Sequence, residues 1–112
     1  MTRIDALGAA RATVAVRLDR PATAIVHDSA ESRLVVFRLE VGQSVAPHRS
    51  TSTVQLTVLE GRGILSGESE EQSCGVGDVV VYAPRELHGM RAVDGQLLLL
   101  ATITPRPGDN HA

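Results

Sequence analysis

Aromatic residues are almost missing: Phe37 and Tyr82 stand alone and tryptophan is absent. Stacking platforms for bases or sugars are thereby excluded, and any pocket must be walled mainly by aliphatic side chains. Cysteine occurs only at Cys74, so no internal disulfide can form. Lysine is absent; all 11 basic residues are arginine, scattered from Arg3 to Arg106 without a basic run, which reads as coding bias rather than chemistry. Against 13 acidic residues they leave a formal net charge of −2, with no positive field to recruit phosphate backbones or anionic lipid. No apolar stretch approaches the roughly 20 residues that span a bilayer. Near the N-terminus, Arg3 and Asp5 precede a short Ala-rich segment without the continuous apolar core of a secretory signal. These absences argue against nucleic acid and membrane as partners, and cytoplasmic residence is expected.

What is present is a globular composition. Hydrophobic residues make up 43% and charged residues 21%, far from the signature of disorder. A chain of 112 residues suits one domain, residues 1–112, because domains commonly run to roughly 100–150 residues. From Thr13 onward it reads as short β-branched runs separated by turn residues, the pattern of a sandwich or barrel. N-terminal strands are expected within 13–28, the core within about 33–107, and a polar tail over 105–112 that frays or lies on the surface. Thr2-Arg3-Ile4-Asp5 can cap a short helix, and no long helix is expected.

Period-two alternation puts Val35, Phe37, Leu39 and Val41 on one face, with Gly42 closing the strand. Val54, Leu56 and Val58 likewise share a face, and the Gly61-Arg62-Gly63 turn into Ile64-Leu65-Ser66 resembles a hairpin. Gly77-Asp78 opens the run Val79 to Tyr82, which Pro84 stops. The run Leu97 to Ile103 is apolar on both faces, so it should be covered twice.

Two linked motifs carry a family resemblance. Gly42 is followed after five residues by His48, and Val58-Leu59-Glu60-Gly61-Arg62-Gly63 comes next. Later, Gly77-Asp78, the strand Val79 to Tyr82, Ala83-Pro84 and His88 follow in order. Over roughly Arg33 to Pro107 the chain resembles a small single-domain cupin. The resemblance implies an all-β fold, a double-stranded β-helix or jelly-roll barrel, with a pocket lined by His48, Ser50, Val54, Leu56, Val58, His88 and Met90. Members with the full motif hold a divalent transition metal on three histidines and a glutamate. Here His48 and His88 are kept, while Ser50 stands at the second His position and Val54 at the Glu position.

A divalent metal at His48 and His88 is therefore expected to be weakly held, since durable sites usually have three or more protein ligands. Gln55 could assist if a bulge shifted its register, as could His27 from a neighbouring strand or Ser50 through a water. The two imidazoles are expected to face each other across the pocket. Arg49 and Arg91 read as solvated strand residues that could otherwise hook an anion. Cys74, Glu60 and Asp78 read as structural, and His27 and His111 as surface residues.

The first functional reading is a barrel that binds a small organic ligand, with or without that metal. A metal-dependent small-molecule enzyme of isomerase, cyclase or dioxygenase type is the alternative, and an inert structural or interaction module the third; fold alone does not choose among them. A homodimer is expected, because the outward sides of Val79 to Tyr82 and Leu97 to Leu100 need cover beyond one small barrel. If not a second chain, Thr13 to Leu18 should supply that cover.

Overall fold

The computed structural model describes residues 1–108. A seven-residue helix, α1 (Ala6–Ala12), precedes nine strands: β1 (Ala22–Asp28), β2 (Arg33–Leu39), β3 (Ser44–His48), β4 (Thr53–Glu60), β5 (Arg62–Ser66), β6 (Glu71–Gly75), β7 (Val79–Tyr82), β8 (His88–Ala92) and β9 (Leu97–Thr104). They form two antiparallel sheets, ordered β1-β2-β9-β4-β7 and β3-β8-β5-β6. Alternation decides what lies between the sheets. Leu39, Leu56, Val58, Leu97 and Leu99 are each at most 1% exposed and pack with Met90 and Leu65 from the facing sheet. Burial of each such side chain contributes roughly 1.5–3 kcal/mol.

As its two-faced apolar pattern requires, β9 is covered on both sides. Leu97, Leu99 and Ala101 face the barrel, while Leu98 packs outward with Val36 against Ala10 of α1. Asp5 caps that helix by accepting from Gly8 N at 3.0 Å. The cover is thus α1, not a strand over 13–18, and the outward side of Leu98 needs no second chain. Thr13 to Leu18 forms no strand, and Val14, Val16 and Leu18 are exposed. Side chains hold this segment in place of a strand partner: Arg38 donates to the Arg11 and Thr13 carbonyls, and Gln43 to those of Leu18 and Arg20. Val79 and Val81, on edge strand β7, remain exposed.

Three further expectations are corrected. β4 and β5 are not a hairpin: β4 pairs with β7 and β9, β5 with β6 and β8. Gly61, at φ +82°, turns the chain from one sheet into the other, and a Cβ there would overlap the Gln96 carbonyl oxygen. Val41 lies past the end of β2 and is exposed. Nor does the chain fray from Pro105. Ser52 Oγ donates to the Pro105 carbonyl at 2.8 Å, Arg106 N donates to the Glu31 carbonyl at 3.1 Å, and Pro107 is buried. The rest of the expected tail, residues 109–112 with His111, lies outside the described residues. Among the described residues no helix is long and apolar enough to cross a membrane.

Candidate functional site

The site is built on the β3–β8 ladder. Ser44 pairs with Arg91 and Val45 with Met90; the register then shifts before His48 pairs with His88. Val45 packs on the core, so strict alternation would turn a residue three places later outward. The irregularity restores the inward parity and brings His48 beside His88. Pro47, which lacks an N–H, is tolerated there because β3 is an edge strand.

The two rings are neighbours on one sheet, not partners across the pocket as expected: their centroids are 4.1 Å apart with 61° between planes. His48 is exposed, whereas His88 is 4% exposed and lies 5.1 Å from the Tyr82 ring. His48 Nδ1 contacts the Ala46 carbonyl at 3.1 Å, and His88 Nδ1 the Glu86 carbonyl at 3.2 Å. A carbonyl only accepts, so each Nδ1 carries the proton and each neutral ring keeps its lone pair on Nε2. Burial pushes the His88 imidazolium pKa down, helped by the neighbouring His48 and opposed by the Glu86 carbonyl. The Glu68 carboxylate accepts from Leu87 N at 3.0 Å and pairs with Arg49, which fixes the loop that delivers His88.

Both rings line a cavity of about 190 Å³ between the sheets. Its walls are aliphatic or aromatic: Val35 and Phe37 from β2, Leu56 from β4, Ala101 and Ile103 from β9, and Met90 from β8. Ser50 and Val54 also line it. A larger hollow of about 310 Å³ lies beside Thr13, Leu18 and Arg38, but no histidine, cysteine or aromatic ring borders it. Of the residues expected at the pocket, only Val58 is elsewhere. Two places further along β4, it is 1% exposed in the packed core. The sequence reading missed Arg33, which is in phase with Val35 and Phe37 on β2, as well as Ile25 and Pro107.

The donor set does not fit a durable metal. Among the described residues no group of three or more His, Cys, Asp or Glu could hold an ion. Gln55 stays in regular register opposite Val81 and is exposed, and His27 is not part of the cavity lining. The Ser50 hydroxyl accepts from Ser52 N at 3.1 Å. Other polar residues are accounted for locally. Arg91 pairs with Glu71, Glu60 with Arg11, and Asp78 accepts from Gly75 N at 2.8 Å. Cys74 is buried, and burial pushes its thiol pKa up, the opposite of an activated nucleophile.

Two antiparallel sheets closed around such a pocket are the architecture of a double-stranded β-helix, and solved structures superpose accordingly. An RmlC-like cupin protein from Desulfovibrio desulfuricans matches with a TM-score of 0.80 at 28% identity, covering 95% of this chain and 98% of that one. KdgF from Halomonas sp. gives 0.76 at 22% identity, covering 88% and 91%. A predicted oxalate decarboxylase from Thermotoga maritima gives 0.71 at 20%, covering 76% and 80%. No family model and no curated protein matches the chain. The chain thus has the double-stranded β-helix fold and is similar over most of its length to small cupin-domain structures.

Proposed function

We propose that this domain binds a small organic ligand with an apolar body and at least one hydrogen-bond donor. One observation carries the reading. Two imidazoles locked as Nδ1–H tautomers offer Nε2 acceptors that no protein group uses, on the wall of an aliphatic cavity. No sealed polar side-chain atom among the described residues lacks a partner. The unused Nε2 of His88 is therefore accessible rather than entombed, and His48 is exposed. At about 190 Å³ the cavity exceeds the roughly 150 Å³ apolar void known to hold benzene, so a ring or short branched chain fits. The decarboxylase name of the Thermotoga neighbour is not extended to this chain, because two neutral imidazoles without a carboxylate do not supply a durable metal site.

Phenol and benzene, compared by nitrogen-15 NMR of the histidine rings, test this. Phenol should bind more tightly than benzene and move the Nε2 resonances of His48 and His88. Resonances that stay put up to the solubility limit of phenol, or equal responses to both probes, would sink the reading.

A further inference from the structure

We infer that the ligand is a small carboxylic acid, its carboxylate received by Arg33 at the mouth of the cavity. This rests on the reading of the cavity as a ligand pocket. On β2 the inward series Val35, Phe37, Leu39 continues backward to Arg33, which places an arginine on the lining of a mainly apolar space. Its side chain is only 24% exposed. A charge drawn this far from water needs a fixed partner. Asp28, its cross-strand partner on β1, provides one, accepting from Arg33 Nε at 3.4 Å and from Nη2 at 3.1 Å. Arg33 Nη1 donates to no group among the described residues.

Asp28 is itself anchored. Arg106 Nε and Nη2 donate to its carboxylate at 2.7 and 3.1 Å, and with Arg33 they hold its pKa down to about 2. The same chain segment brings Pro107 onto the cavity. Arg33 is thus a pre-oriented cation with donor capacity to spare, and the planar guanidinium fork matches a carboxylate in both charge and geometry. Arg49, the other arginine on the lining, is a poorer candidate. It is 54% exposed and already engaged by Glu68 and the Arg85 carbonyl. The facing sheet supplies the two Nε2 acceptors. An acid that touches both walls would place its carboxylate on Arg33, its apolar body along Val35, Phe37 and Ile103, and a hydroxyl on the histidines.

Mandelate has these three parts, and benzyl alcohol lacks only the carboxylate. Titrated by calorimetry at neutral pH, the wild-type protein should bind mandelate at least about tenfold more tightly than benzyl alcohol, as charge-assisted hydrogen bonds of this kind require. Arg33→Met should abolish that preference, bringing mandelate affinity down to that of benzyl alcohol measured on the same variant. Arg33→Lys, which keeps the charge and a partner for Asp28, should retain part of it and guards against a folding defect in the first variant. Equal wild-type affinities, or a preference that survives Arg33→Met, would overturn the assignment to Arg33 while leaving the pocket intact. Failure of both probes to bind would overturn the pocket reading itself.

Discussion

His48 and His88 are Cα partners across the β3–β8 ladder, and their rings meet edge to face with centroids 4.1 Å apart. Each Nδ1 is tied to the carbonyl two residues earlier, so the pair is oriented before any ligand arrives. Preorganisation of this kind has a cost that shows on acidification, since a buried imidazole must remain neutral.

The first prediction follows from that cost. The folded-state pKa of His88 is lowered from the ordinary value of 6.5, by burial first and by His48 second. Below that value the unfolded chain therefore binds more protons than the folded one, and stability falls with falling pH. The melting temperature should drop between pH 7.5 and 5 in the wild type and much less in His88→Gln. The lowered carboxyls of Glu60, Glu68, Glu71 and Asp28 add the same trend only nearer the ordinary carboxylate range and below. Calorimetry across this range decides it, and parallel curves for the two proteins would refute the role of His88.

The barrel was legible because its information is local. Alternation in β2 and β4, the doubly apolar β9 and the glycine-punctuated turns each stand in a few consecutive residues. The pairing of β4 was not legible, because nothing in Thr53 to Glu60 says whether the next strand joins the same sheet or the facing one. α1 was faint because it is mainly alanine, which carries little amphipathic signal even though Ala10 is fully buried. Arg33 escaped because counting apolar residues at period two stops at a charge, although the backbone keeps alternating. Pro107 was hidden among turn-forming neighbours that read as surface.

Gly61 provides a test of the sheet-to-sheet crossing. At φ +82°, with the Gln96 carbonyl where a Cβ would sit, Gly61→Ala meets both an unfavourable backbone conformation and a backbone clash. It should cost more than about 2 kcal/mol in urea denaturation. Gly77 is the control: its φ is +91° but nothing lies within 4 Å of where a methyl group would sit, so Gly77→Ala should cost only about 1–2 kcal/mol. Equal losses would mean that conformation alone matters and that the Gln96 contact is absent.

The last prediction concerns the metal that the resemblance implies. Ser50 and Val54 share the cavity lining with His48 and His88, so the positions for two further ligands border the same cavity and only the chemistry is missing. Ser50→His with Val54→Glu adds one imidazole and one carboxylate, giving four ligands and a negative charge in place of two neutral rings. Zinc affinity, measured by competition with a chelator, should rise on the order of 100-fold or more over the wild type. The same change should weaken the metal-free protein. Val54 is 5% exposed in the core, and a carboxyl placed there without a partner should cost about 2–4 kcal/mol, its pKa rising as the buried group takes up a proton. Zinc should reverse that loss, since binding to the folded state alone stabilises it in proportion to the logarithm of metal over dissociation constant. Removing His48 and His88 by alanine substitution in this background should abolish the rescue. If the double variant instead binds zinc no better than the wild type, positions 50 and 54 do not converge with the histidine pair.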